Sequence, residues 1–224
     1  MGKTSKDKRD IYYRKAKEVG YRARSAFKLI QIDEEFDLLS KVRRVVDLCA
    51  APGSWSQVLA SRLHNAELAD TDGHLPRIVS VDLQEMAPIP GVHTIVGDIT
   101  ARSTAEQIIH YFQGDLSDLV ICDGAPDVTG LHDIDEYMQA QLLLAALNIT
   151  TNILKIGGNF VAKIFRGKDV SLLYSQFRCF FDEVTIAKPK SSRNSSIESF
   201  IVCRGYLPPS GFVPSMSALF INQR

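Results

Sequence analysis

The chain holds four cysteines in 224 residues, and no two of them form a Cys-x-x-Cys pair. Cys49, Cys122, Cys179 and Cys203 lie in or beside apolar stretches. That placement argues against a zinc ribbon or a disulfide framework and for reduced thiols in a cytoplasmic protein; no metal site is expected. No apolar run approaches the roughly eighteen residues that span a bilayer. The basic N-terminus has no apolar segment behind it, so it does not read as a secretory signal, and no membrane contact is expected. Two glycine signatures are also missing. There is no Gly-x-Gly-x-x-Gly after the first strand-like run, which argues against a dinucleotide-dependent oxidoreductase. The turn that follows that run likewise lacks the Lys-Ser/Thr of a phosphate loop. Internal repeats are absent.

Net charge is lacking as well: 26 Lys and Arg balance 26 Asp and Glu. The balance is uneven, however. Residues 1–28 carry ten basic side chains against Asp7, Asp10 and Glu18, a local charge of +7, which leaves −7 on residues 29–224. A basic arm on a mildly acidic body suits a polyanionic partner. Tyr12, Tyr13, Tyr21 and Phe27 interleave with these charges. Rings that stack on bases, beside cations that hold phosphates, are the composition of a single-stranded RNA surface. With 45% apolar residues, the remaining length suits one well-buried core. The reading divides the chain into a basic arm over 1–24, one domain over 25–207 and a tail over 208–224.

The most informative stretch is Asp47-Leu-Cys-Ala-Ala-Pro-Gly-Ser-Trp-Ser-Gln57. A β-branched run at 42–47 enters a small-residue turn, and Ser54 opens a segment with helical spacing. Strand, tight turn and helix expose backbone N–H groups to a nucleotide-like ligand. Gly53 allows close approach to the backbone. Without a pyrophosphate signature, the turn suits an adenosyl group and points to S-adenosylmethionine.

Further strands are expected at 77–82, 92–96, 118–123, 159–165, 184–187 and 197–203. Helices are expected at 25–36, 103–112, 135–154 and 169–180. Ser103 with Glu106 reads as a capping box, and Gly157-Gly158 as a helix stop. Residues 64–76 read as a surface insertion. Alternating strands and helices imply an α/β fold with a mostly parallel sheet, helices on both faces and an antiparallel hairpin at the end.

Four strands finish in carboxylates: Asp47, Asp82, Asp98 and Asp123. Ligands of open α/β sheets lie across those strand ends, and an acid after the second strand meets ribose hydroxyls. Lys163 lies inside the apolar strand Phe160-Val-Ala-Lys-Ile-Phe165, and Glu198 inside an equally apolar one. Unpaired buried charges are costly, so these two could satisfy each other as a structural ion pair. Equally, Lys163 beside a cofactor, with a lowered pKa, could act as a general base.

Residues 47–57, Cys122-Asp-Gly-Ala-Pro-Asp127 and Val161-Ala-Lys-Ile-Phe165 together resemble the FtsJ-like family of RNA ribose 2′-O-methyltransferases. Ser5-Lys-Asp-Lys-Arg-Asp10 with Tyr12-Tyr13, Arg22-Ala-Arg-Ser-Ala-Phe-Lys28, Asp127-Val-Thr-Gly-Leu-His-Asp133, Ile164-Phe-Arg-Gly167 and Ser191-Ser-Arg193 resemble its eukaryotic tRNA anticodon-loop branch. The resemblance implies a Rossmann-like methyltransferase fold with a seven-stranded sheet. It implies a catalytic tetrad of Lys28, Asp123, Lys163 and Glu198, with Lys163 as base. It places S-adenosylmethionine on Gly53, Trp55, Asp82, Asp98 and Asp123. It also implies tRNA as substrate, at nucleotides 32 and 34 of the anticodon loop, with protein partners that direct nucleotide choice. The alternatives are ribosomal RNA or an mRNA cap as target, or a non-catalytic RNA-binding factor on the same scaffold.

Overall fold

Valine and isoleucine runs bounded by turn residues form the centre of the molecule. The computed structural model describes residues 11–64, 74–126, 129–167, 170–193 and 196–216. Residues 1–10 of the basic arm, 65–73 of the insertion and 217–224 of the tail lie outside the described residues. The elements in chain order are α1 (Ile11–Val19), α2 (Ala26–Phe36), β1 (Arg44–Leu48), α3 (Ser54–Leu63), β2 (Arg77–Asp82) and β3 (Val92–Val96). They continue with α4 (Arg102–Tyr111), β4 (Ser117–Cys122), α5 (His132–Ile153), β5 (Leu154–Phe165), α6 (Val170–Arg178), β6 (Phe181–Ala187) and β7 (Glu198–Tyr206).

The seven strands form one sheet in the order β3-β2-β1-β4-β5-β7-β6. The first five are parallel, and β7 runs antiparallel to both β5 and β6. The expected α/β class and terminal hairpin are therefore present, with β7 inserted between its predecessor β6 and β5. Side chains alternate between two cores. Val46, Leu48, Val120 and Ala162 face α4, α5 and α6. Val45, Ile121, Val161 and Phe200 face α2 and α3, where Leu29, Ile32 and Trp55 cover them. Both sheet faces are dry, which is why the strands read as near-continuous apolar runs.

Two local expectations are corrected. Helix α4 begins at Arg102, with Ala101 in the capping position and no side-chain cap. Ser103 thus sits inside the first turn, and Glu106 pairs with Arg102 at 2.8 Å. Helix α5 ends at Ile153, and Gly157-Gly158 belong to β5 instead. Register between β4 and β5 shifts between the Ser117↔Leu154 and Leu119↔Asn159 pairs, so the glycines form a bulge. Gly157 takes a left-handed φ of +77° there.

Candidate active site

The parallel strands of the sheet end together, and their carboxyl ends open into one cleft of about 1240 Å³. Its walls come from the 49–52 turn after β1, the 82–87 segment after β2 and the 97–100 turn after β3. Asp123-Gly124-Ala125-Pro126 after β4, Met138 and Leu142 of α5, and Arg22, Lys28 and Lys163 complete them. Five of the predicted site residues thus meet in one place: Lys28, Asp82, Asp98, Asp123 and Lys163.

The floor is a cluster of four charges. Lys163 and Glu198 lie on paired antiparallel strands, where Lys163 is opposite Phe200 and Glu198 opposite Phe165. They are diagonal neighbours on the face that α2 covers, and α2 brings Lys28 down onto them. Lys163 Nζ lies 2.8 Å from Asp123 Oδ1 and donates to the Asp123 carbonyl at 2.8 Å. It lies 3.6 Å from Glu198 Oε2. Lys28 Nζ holds the same Glu198 oxygen at 2.7 Å and lies 3.9 Å from Asp123 Oδ1. Ser192 Oγ donates to the other Glu198 oxygen at 2.9 Å. Glu198 therefore lies behind the cleft wall, in contact with Lys28 and Lys163.

Electrostatics reverse one expectation. Burial works to lower the Lys163 pKa, but Asp123 and then Glu198 outweigh it and hold the pKa above the usual lysine value. The two carboxylates thus favour the ammonium form of Lys163 over a depressed amine. Glu198 is displaced the other way: burial would raise it, while Lys28 and Lys163 more than compensate and hold it ionised.

The acids divide by depth. Asp82 Oδ2 accepts from Ala51 N–H and Oδ1 from Gln84 N–H, both at 2.8 Å, so Asp82 ties two cleft walls together. Asp98 Oδ1 accepts from Thr100 N–H and Oγ1, both at 2.8 Å. Each carboxylate retains acceptor capacity, Asp98 through its Oδ2. Asp47 is different, being only 1% exposed and outside the cleft wall. It accepts from Ser56 Oγ at 2.6 Å, and Ser56 in turn meets Ser80 Oγ at 2.6 Å. Burial first, with Asp123 and Asp82 adding, pushes the Asp47 carboxyl up to about 7. The four acids that end strands are therefore three cleft acids and one buried acid.

Gly53 and Trp55, the other two predicted cofactor residues, meet groups of this chain. Trp55 is buried beside Phe200, with ring centroids 5.6 Å apart, and its indole N–H donates to the Ser25 carbonyl at 2.9 Å. Gly53 has a left-handed φ of +99°, and a Cβ there would meet Arg22 Nη1 at 2.8 Å and Ile89 Cδ1 at 2.9 Å. The room above Gly53 is occupied by this chain's own arginine. The residues to which sequence reasoning gave no site role are Arg22, Ser192 and Gln139. The Gln139 Nε2 donates to the carbonyls of Gly124 and Lys163 from behind the floor. Arg22 was visible as one charge in a basic run and as the start of the Arg22–Lys28 motif, with no role of its own.

The cleft suits a nucleoside ligand. Carboxylates at the ends of β2 and β3 accept from hydroxyl and amine groups, while Leu83, Met86, Ile99 and Leu142 supply an apolar slot. A single-handed α/β sheet with a reversed seventh strand, and a cleft across its carboxyl ends, defines the Rossmann-like methyltransferase class. The comparisons are more specific. The model of the FtsJ-like methyltransferases matches residues 21–206, and the chain belongs to that family.

A mouse protein named tRNA (cytidine(32)/guanosine(34)-2′-O)-methyltransferase is 66% identical over 222 residues, covering 99% of this chain and 66% of its own. The human protein of the same name is 67% identical over 217 residues, covering 97% and 64%. The chain thus spans about two thirds of the length of these curated relatives. A crystal structure from Plasmodium falciparum, described as a ribosomal RNA methyltransferase, superposes with a TM-score of 0.73 at 27% identity. The match covers 84% of this chain and all of that one.

Proposed function

We propose that the protein transfers a methyl group from S-adenosylmethionine to the ribose 2′-hydroxyl of nucleotides 32 and 34 in tRNA anticodon loops. The observation that carries this reading is the Lys28–Asp123–Lys163–Glu198 cluster on the floor of a nucleoside-sized cleft. The names of the mouse and human relatives at 66% and 67% identity support the choice of RNA and of nucleotide. The ribosomal RNA reading has support from relatives named as ribosomal RNA methyltransferases at 42% identity, well below the mouse and human proteins, and from the Plasmodium falciparum structure at 27%.

S-adenosylmethionine, when bound, supplies an electrophilic methyl on a sulfonium. In this reading Asp82 and Asp98 bind its hydroxyl and amine donors along the cleft wall. The chain's remaining task is to align the 2′-hydroxyl and remove its proton. Lys163 is the acceptor of that proton. Asp123 holds Lys163 Nζ through both carboxylate and carbonyl, which fixes where the nitrogen points. Lys28 neutralises Glu198, so Asp123 is the one carboxylate of the cluster that a neutral Lys163 leaves without a close cation, and it favours return of the proton to Lys163. Protein partners that direct nucleotide choice belong to the same proposal.

Because the two carboxylates hold Lys163 protonated, the methylation rate should rise with pH between about 6 and 9 as the amine is freed. The test is incubation with labelled S-adenosylmethionine and tRNA lacking the modification, followed by mapping of the alkali-resistant linkage. Lys163→Ala should lower the rate by roughly 10²–10⁴-fold while binding of S-adenosylhomocysteine persists. Normal turnover in that variant removes Lys163 from the reaction. A label found only on ribosomal RNA overturns the tRNA assignment.

A further inference from the structure

We propose that Arg22 is a positioning residue for the cofactor cleft: its guanidinium clamps two separate walls of the cleft into the shape that receives the adenosyl group. The inference rests on the reading of the cleft as the S-adenosylmethionine site.

Arg22 Nη1 donates to the Pro52 carbonyl at 2.9 Å, on the turn after β1. Its Nη2 donates to the Pro88 carbonyl at 3.0 Å, on the loop that links β2 to β3. One planar fork therefore joins two segments 36 residues apart in sequence, and both contribute to the cleft. A lysine offers one point charge and cannot reproduce a planar fork spanning two carbonyls. The arginine is itself held at its base. Its backbone N–H donates to Gln57 Oε1 at 2.8 Å, and Gln57 Nε2 returns a bond to the Gly20 carbonyl at 3.1 Å. The clamp thus starts from a fixed point on α3.

Gly53 supplies an independent observation. A Cβ there would stand 2.8 Å from Arg22 Nη1 and 2.9 Å from Ile89 Cδ1. The backbone at 53 has been left bare where the guanidinium and the β2–β3 loop pass over it. The glycine of the turn is matched to the arginine, and both serve the spacing between walls. Asp82 makes the second tie between the same walls through Ala51 N–H. Without Arg22, the ties at the inner end remain, that hydrogen bond and the one from Ala50 N–H to the Val81 carbonyl, and the outer end of the loop is freed.

The test needs no RNA. Binding of S-adenosylhomocysteine is measured by calorimetry for the wild type, Arg22→Met and Arg22→Lys, alongside amide exchange of the 83–91 segment in ligand-free protein. Arg22→Met should weaken binding by about tenfold, with Arg22→Lys between it and the wild type. Exchange in 83–91 should accelerate in the same order, while the central strands keep their protection. Affinities within about twofold of the wild type, with unchanged exchange, overturn the clamp, as does a loss confined to RNA affinity. A wild type that binds no S-adenosylhomocysteine overturns the cofactor reading itself, and so is distinguishable from failure of the clamp.

Discussion

Asp47 is a carboxyl that folding has to protonate or pay for. It sits at 1% exposure under α3, one of its oxygens takes a hydrogen bond from Ser56, and burial raises its pKa from 3.8 to about 7. Between those two values the folded chain holds a proton that the unfolded chain has released. Its contribution to stability is therefore most favourable at or below the unfolded value and declines as pH rises toward 7. Asp47→Asn keeps an acceptor for Ser56 and removes the charge. The variant should gain on the order of 2–4 kcal/mol over the wild type at pH 8, and little near pH 4. Urea melts at the two pH values check this, and parallel curves would mean that Asp47 stays ionised in the fold. The residue also marks what local sequence shows and what it hides. Asp47, Asp82, Asp98 and Asp123 look alike along the chain, each ending an apolar run. What separates them is which sheet face each meets, because 47 points under a helix while 82, 98 and 123 reach the strand ends. Gly53 is similar: its bare backbone was legible, but the guanidinium that needs the room comes from 31 residues upstream.

Elements were legible where one local pattern dominated. The valine and isoleucine runs of β1, β2 and β4 locate the strands, and Ala26–Phe36 keeps one apolar face at helical spacing. Failure came where two patterns overlapped. The α5 sequence runs straight into β5 with no breaker at Ile153–Leu154, so the first glycines, 157 and 158, look like the helix stop. Tertiary pairing decides instead, since Leu154 is already drawn onto Ser117 of β4. The glycines then absorb the register shift. A Cβ on Gly158 would come within 2.6 Å of Leu154 Cδ1 and 2.9 Å of the Lys155 carbonyl, so even alanine must push the bulge open. Gly158→Ala should lower unfolding free energy by about 1–3 kcal/mol, read from denaturant midpoints. The bulge lies at the opposite end of β5 from Lys163, so cofactor affinity should hold. A stability equal to the wild type would show that the bulge is slack rather than fitted.

Across the whole molecule the governing feature is charge set beside a cleft. Within the basic N-terminal segment α1 is docked: Tyr12 packs against Phe27 with ring centroids 5.4 Å apart, and Tyr21 meets the same ring edge-on at 5.9 Å. Rings that the composition offered for base stacking are thus partly used to dock the helix. Docking has an electrostatic consequence. Arg14, Lys15 and Lys17 stay exposed on α1, at fixed distance from a body that carries the opposite charge. Arg24 is drawn inward, within 6.0 Å of the Tyr12 ring and bonded to the Ser191 carbonyl. In the proposed reading these exposed cations of α1 meet RNA phosphates. Each phosphate neutralised releases counterions, which makes affinity fall linearly in log–log form with salt. Replacing Arg14, Lys15 and Lys17 together by glutamate should flatten that slope by roughly two units, at about 0.7 per single-strand contact. Binding of S-adenosylhomocysteine should be retained, because none of the three side chains lines the cleft. Filter binding of tRNA over a salt series measures the slope directly. A slope equal to the wild type would assign RNA contact to other cations, and the charge on α1 would then be a solvated face.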